Sequence, residues 1–248
     1  GITGIAAGYA TNIPPHNLGE VIDAVIYRIQ FPNSSVEELM EYDKIHNIPS
    51  VFFFGMKNGL GMSYSSQKAI FYIRKVMSAG FDVGVHGINY LEETKIKKEH
   101  DDFLHITKLS NFGVRNHYVR FNDSTFDKMN RVGYLFDSSW FNKQRLEFKP
   151  PYKVGNMWEF PLHIMDSYIC FPGNVEEGIQ NTIGAIERAK TEGVPYCTIL
   201  FHDTGFNERY EPYLKEWYIK IIEYCEYKHY EFISFRDAIK ELENDGLS

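Results

Sequence analysis

Histidine is the most versatile chemical residue of this chain, because its neutral ring ligates metals and its ordinary pKa near neutrality lets it move protons. Three of the nine histidines sit where an apolar, β-prone run hands over to a loop: His86 after Val83-Gly-Val85, His117 just past Gly113-Val-Arg115, and His202 after Thr198-Ile-Leu-Phe201. A lone His beside an apolar strand is usually a satisfied structural residue. Three at successive strand ends point instead to one shared rim. Such a set suits a catalytic metal, which needs about three protein ligands and an open position for water, with an acid or base beside it. A metal-assisted hydrolase is the chemistry the pattern predicts, with His86 as first ligand.

The other polar candidates carry plainer readings beside the functional ones. Asp137, before Ser138-Ser139, reads first as the cap of a loop turn. Asp203 is adjacent to His202, but neighbouring strand residues face opposite ways. His46, His100, His105 and His229 fall on or near helical stretches and look ordinary. Trp140, Tyr152 and Trp158 flank a long loop and either stack a sugar ring or pack beneath the loop. No Ser-His-Asp set with a nucleophile elbow, no Walker loop and no G-x-G-x-x-G occurs.

The elements that must position these residues alternate in helix and strand patterns, the signature of a parallel α/β architecture. A capped helix begins at Ser34-Ser35 and runs to about Asn47, Pro49 stops it, and Val51-Phe-Phe-Phe54 follows as a strand buried on both faces. Ala69, Ile70, Ile73, Val76 and Met77 share a helical face closed by Gly80, and Phe81–Val85 is the next strand. Helices around 97–109 and 125–131 lead to strands at 112–115 and 134–136. The segment 138–158 is Pro-, Lys- and aromatic-rich and too long for a simple connection, which makes it a candidate site wall. A strand at 157–160, a helix at 175–190, a strand at 197–201, a helix at 212–227, a strand at 232–234 and a final helix to about Leu242 complete the pattern. No linker divides residues 1–248, so a single domain, a (β/α) barrel of about seven or eight units, is the economical reading.

Composition narrows the function. The chain has 248 residues, a formal charge of −7, 44% hydrophobic and 24% charged residues, all ordinary for a globular protein. The acidic balance argues against a general binder of nucleic acid or anionic membranes. With 19 Phe, 17 Tyr and 3 Trp, it has aromatic residues to spare for a thick core or for sugar stacking. Cys170, Cys197 and Cys225 are too few and too scattered for a disulfide framework or a zinc knuckle. No apolar run reaches membrane-spanning length. Unpaired thiols without a signal sequence point to the cytoplasm, with the cell envelope open if a leader was trimmed. The Gly1 start suggests a fragment that begins inside a longer chain.

Taken in order, several stretches resemble the polysaccharide deacetylases, the NodB-like carbohydrate esterase family 4. Val83-Gly-Val-His86-Gly resembles the family's second motif, E-I-G-x-H-x-x-x-H, and Pro49–Phe54 its "ATFFV" strand. Gly113–Tyr118 is similar to its R-x-P-Y motif, Glu159-Phe-Pro161 to its "EIP", and Thr198–Asp203 to its closing L-x-H. A bacterial subgroup with R-x-H-Y-x-R-F, Y-D-S and P-L-x-x-M-D patterns is nearest, here Arg115 to Phe121, Phe136 to Ser138 and Pro161 to Asp166. The resemblance spans about residues 35–240 and implies a distorted seven-stranded barrel.

It also implies removal of N-acetyl groups from a sugar or polysaccharide, with a divalent metal, zinc above all, held by one Asp and two His. Carried over, His86 is a metal ligand, His202 the general acid, Arg115 the residue that orients an active-site carboxylate, and Tyr118 part of the groove. Asp166 either tunes His202 or caps a loop. Trp140 and Trp158 join Tyr118 as candidate substrate contacts.

Two departures matter. The family's second histidine of the H-x-x-x-H pair is Tyr90 here, so His117 is read as its replacement ligand, with a structural His117 as the alternative. The family's first motif, an Asp-Asp pair closing the first strand, is not found. Upstream of Val36 the acidic residues are Glu20 and Asp23, which read as a solvated helix face. Either the first strand precedes Gly1 and was removed, as the Gly1 start suggests, or base and ligand are lacking. A glycan-binding protein without turnover follows from these departures, and a cyclic-amide hydrolase, which shares this architecture by resemblance, keeps the barrel and the metal but changes the substrate.

Overall fold

The computed structural model describes residues 35–56, 65–207 and 211–244. Helix α1 (Ser35–Ile45) leads into β1 (Val51–Phe54), and then α2 (Ser66–Ser78), β2 (Asp82–Gly87), α3 (Glu93–Thr107) and β3 (Gly113–Asn116) follow. Next come α4 (Thr125–Val132), β4 (Phe136–Asp137), β5 (Tyr152–Val154), β6 (Met157–Glu159), β7 (Ile164–Met165) and the single turn α5 (Asp166–Ile169). The chain continues through α6 (Val175–Thr191), β8 (Ile199–Leu200), α7 (Pro212–Tyr227) and α8 (Phe235–Asn244).

Local chemistry explains the punctuation. Ser65 caps α2, its hydroxyl accepting from the Lys68 amide at 3.3 Å, and Gly80 past the helix end takes φ +93°, a conformation that favours glycine. Gly133 ends α4 in the same way at φ +105°. The apolar runs between helices then pair in parallel, as near-continuous hydrophobic strands do when both faces are covered.

One sheet has six strands in the order β1-β2-β3-β4-β6-β5, parallel except for β5, which forms an antiparallel hairpin with β6. Strands β7 and β8 form a separate parallel pair. No ladder joins β1 to β8 among the described residues, so the expected closed barrel is not made by hydrogen-bonded strands. Both strands instead border one cavity of about 1230 Å³. The expected strand at 232–234 forms no ladder among the described residues, and the expected loop at 138–158 contains β5 and the start of β6.

The sheet is buried between two apolar layers. On one side Val83, Val85 and Val114 pack with Ile73, Ile96, Phe103 and Met129 from the helices. On the other, Phe136, Trp158 and Phe160 meet Ala238, Ile239 and Leu242 of α8. A Cβ on Gly84 would stand 2.8 Å from the Phe53 ring, so only glycine lets that ring lie against β2. A third cluster centres on Trp217 of α7, which is fully buried and donates its indole N–H to the Thr182 hydroxyl at 2.9 Å.

Candidate active site

Parallel pairing sets the site, because residues in register on adjacent strands share a face. His86 on β2 is in register with Arg115 on β3, and Asp137 on β4 with Glu159 on β6. All four lie at or near the C-terminal ends of their strands, where α/β proteins place their ligands. His86, Arg115 and His202 line the same large cavity, together with Lys68, Phe53 and Asp203.

Two imidazoles face each other where β2 and β3 end. His86 Nε2 is 3.0 Å from His117 Nδ1, and the two rings meet edge to face with centroids 5.1 Å apart. Burial above all, then the neighbouring His117 and Arg115, pushes the His86 pKa down to about 3, so its ring is neutral at physiological pH, the ligating form. Two nitrogens 3.0 Å apart can both reach one ion at the ordinary zinc–nitrogen distance of about 2.0–2.1 Å. They fit as two of the roughly three protein ligands a catalytic zinc takes. Among the described residues no group of three or more His, Cys, Asp or Glu is placed to hold a metal ion.

Across the cavity stands a second pair. Asp166, fully buried at the start of α5, accepts from His202 Nδ1 at 2.7 Å and from the His202 backbone amide at 2.6 Å. Its Oδ1 also accepts from the Ser167 amide at 2.5 Å. The carboxylate therefore fixes both the ring and the backbone of His202, leaving Nε2 for the cavity. The Asp166 hydrogen bond raises the His202 pKa above its ordinary value, against the opposing effect of burial. Asp166 is thus more than a cap of its own loop, and His202 turns to it rather than to adjacent Asp203.

Arg115 is buried, with its guanidinium 4.8 Å from the centroid of the Phe53 ring. It donates to the Ser138 carbonyl at 3.1 Å and the Ser138 hydroxyl at 2.9 Å. Burial lowers its pKa to about 10, and the carboxyls of Asp137 and Glu159 act the other way. The carboxyls that offset this arginine are therefore those of β4 and β6. Asp137 is fully buried, and it still caps the turn, with the Ser139 hydroxyl donating to its Oδ1 at 2.6 Å and the Ser138 and Ser139 amides beside it. Nothing local in the sequence brings the two acids together: β4 and β6 pair although β5 lies between them in the chain, and only that pairing makes Asp137 and Glu159 neighbours.

The aromatic candidates separate. Tyr118 is 62% exposed at φ +57°, presenting its ring to solvent beside Arg120. Trp140 lies under the Lys149 ammonium, 4.0 Å from its ring centroid, and lines a smaller cavity of about 430 Å³ with Val119, Phe121 and Phe141. Trp158 is only 2% exposed, because its strand register points it into the core against Phe160, so it cannot stack a sugar. Tyr90 sits under Arg120, whose guanidinium is 5.5 Å from its ring centroid. Glu20 and Asp23 lie outside the described residues.

The fold is similar to that of a Mycobacterium smegmatis protein assigned to the polysaccharide deacetylases, with a TM-score of 0.58 over 82% of this chain and 76% of that one. At 16% identity this likeness defines the fold class, a mixed α/β polysaccharide-deacetylase fold, and leaves the activity to the site.

Sequence comparison gives a different neighbour. Residues 1–111 match the family model for the A-type subunit of DNA gyrase/topoisomerase IV. The corresponding DNA topoisomerase 4 protein of Bacillus subtilis is 53% identical over 74 residues, 30% of this chain and 9% of that protein. The A-type DNA gyrase protein of Thermotoga maritima is 56% identical over 50 residues, 20% of this chain and 6% of that protein. The chain thus spans under a tenth of the curated relatives it matches. The sequence motifs do not point to this likeness. Among the described residues no helix is long and apolar enough to cross a membrane.

Proposed function

We propose that the chain is a hydrolase of the polysaccharide-deacetylase type, removing N-acetyl groups from a carbohydrate with His202 as general acid. The observation that carries this reading is the Asp166–His202 pair, whose histidine lines the same cavity as His86, the partner of His117. Asp166 keeps the proton on Nδ1 and stabilises the imidazolium, so Nε2 can give its proton to a leaving amine. His86 and His117 would hold a divalent ion, zinc by the nature of the nitrogen donors, and a bound ion supplies Lewis acidity and a water of lowered pKa. Arg115 fixes the strand end beside His86, while Trp140 and Tyr118 offer rings to a sugar face. The general base and the Asp ligand that such a reaction requires are not assigned to any described residue.

The experiment is acetate release from an N-acetylglucosamine oligomer, with zinc added and with zinc chelated. Zinc-dependent release, lost in His202→Ala, supports the proposal. No release with zinc bound favours a second reading, a glycan-binding protein without turnover, for which Tyr90 in place of a ligand and the two-histidine set speak.

A further inference from the structure

Asp137 and Glu159 are neighbours in register, and both side chains are fully buried. One oxygen of each has a donor: Asp137 Oδ1 accepts from the Ser139 hydroxyl at 2.6 Å, and Glu159 Oε1 from the Trp140 amide at 3.0 Å. The remaining oxygens, Oδ2 and Oε2, have no hydrogen-bond donor among the described residues. The two carboxyls are nonetheless within hydrogen-bonding reach of each other. Two ionised carboxylates side by side in a dry interior repel and leave two acceptors unmet, whereas a single proton between them meets both needs.

We propose that Asp137 and Glu159 share one proton, and that this acid–carboxylate pair is a positioning device tying the strand end that bears His117 to the loop that bears Trp140. The chain of bonds is continuous. The Asn116 amide donates to Ser139 Oγ at 2.8 Å, Ser139 donates to Asp137, Glu159 donates its proton to Asp137, and the Trp140 amide donates to Glu159. Asn116 immediately precedes His117, so one end of the network sets a proposed ligand and the other a proposed substrate contact. The inference rests on the proposed function only for what those two residues do.

Three ionisable groups face the pair: Arg115 from β3, Tyr134 before β4, and Tyr152 from β5. Burial, chiefly, raises both tyrosines, so they are neutral and Arg115 alone is charged. One shared proton leaves the pair with a single negative charge to set against that one cation. Burial also raises both carboxyls, and Asp137, which has the Ser139 hydroxyl and the Ser138 and Ser139 amides beside it against the one Trp140 amide at Glu159, is the better-supported anion, which leaves the proton on Glu159.

The test reads the proton directly. Infrared spectra of the whole protein at neutral pH should show the carbonyl stretch of a buried protonated carboxyl, shifted by carboxyl-carbon labelling of Glu and lost in Glu159→Gln. An amide at 159 supplies a permanent donor to Asp137, so Glu159→Gln should fold, and its stability should no longer depend on that proton. As pH rises from the ordinary glutamic acid value to that of the folded pair, the folding equilibrium constant of the variant should gain about tenfold per pH unit on the parent. If Glu159→Gln fails to fold, Asp137→Asn, which donates to Glu159 instead, takes its place in both measurements. Absence of the protonated-carboxyl band from the parent at neutral pH overturns the proposal, as does a stability ratio flat with pH in a folded variant. Neither readout involves acetate release, so the band can be present while the hydrolase reading fails, or absent while it stands.

Discussion

Replacing Asp166 by Asn tests the acid at its root. Asp166 meets three donors, at 2.7 Å from His202 Nδ1, 2.6 Å from the His202 amide and 2.5 Å from the Ser167 amide. An Asn keeps one oxygen, and because the two backbone amides sit on different carboxylate oxygens, keeping it on the His202 amide costs the Ser167 amide its acceptor and turns the NH₂ toward Nδ1. That nitrogen must then accept, so the proton moves to Nε2 and the imidazolium is disfavoured. A bond to a charged partner is worth about 1.5–3 kcal/mol and a neutral one about 0.5–1.5, so the variant should lose about 1–2 kcal/mol. Because the His202 side chain is 52% exposed, solvent screening favours the lower end. For a domain of this size that is roughly 2–8 °C in Tm. The sign with pH follows from the raised pKa of His202. Its stabilisation is complete below the ordinary histidine value of about 6.5 and fades as pH rises through the folded value. The gap between parent and Asp166→Asn should therefore be widest near pH 5.5 and shrink above neutrality. Proton NMR of the His202 ring should show its titration moved to lower pH, and any acetate release should fall by about 10²–10⁴-fold. An unmoved His202 titration, or a gap independent of pH, would refute the pairing argument.

Three further outcomes are expected. Zinc affinity measured by calorimetry should fall in His86→Ala and in His117→Ala, and the double variant should lose little more than either single, since one ion needs both nitrogens. The three thiols should react with a thiol reagent only as fast as the chain unfolds, because burial pushes Cys170 and Cys225 up to about 11 and Cys197 up to about 12; rapid labelling of the folded protein would contradict their placement. Gly113→Ala should cost about 1–3 kcal/mol in denaturant melts, since its Cβ would collide with the Phe136 ring across the β3–β4 ladder.

The elements were legible where local patterns are strong. The Val51–Phe54 strand and the Pro212–Tyr227 helix match the sequence reading end to end, one a continuous apolar run and the other a long periodic face opened by proline. The strand ends bearing His86, Arg115 and His202 were legible for the same reason. What escaped depends on pairing. Strand β5 is three residues, Tyr-Lys-Val, and becomes a strand only because β6 turns back beside it. Residues 232–234 have the right residue types but no partner strand among the described residues. Trp158 lies at the mouth of a loop in sequence, yet its register with Phe136 sends it into the core. The Asp137–Glu159 pair spans 22 positions of sequence, and no local pattern announces that two acids will be neighbours.

The two similarities divide the chain differently, and the ladders decide which division is structural. The gyrase-like match ends at residue 111, between α3 and β3. Strand β2 lies on one side of that point and β3 on the other, joined by Val85, His86 and Gly87 against Val114, Arg115 and Asn116. A boundary there would open a central ladder of the six-stranded sheet and expose Val83, Val85 and Val114, each no more than 1% accessible. It would also part His86 from His117. The described portion of residues 1–111 therefore belongs to the same packed sheet as the rest, and the candidate site is assembled across the point where the sequence match stops.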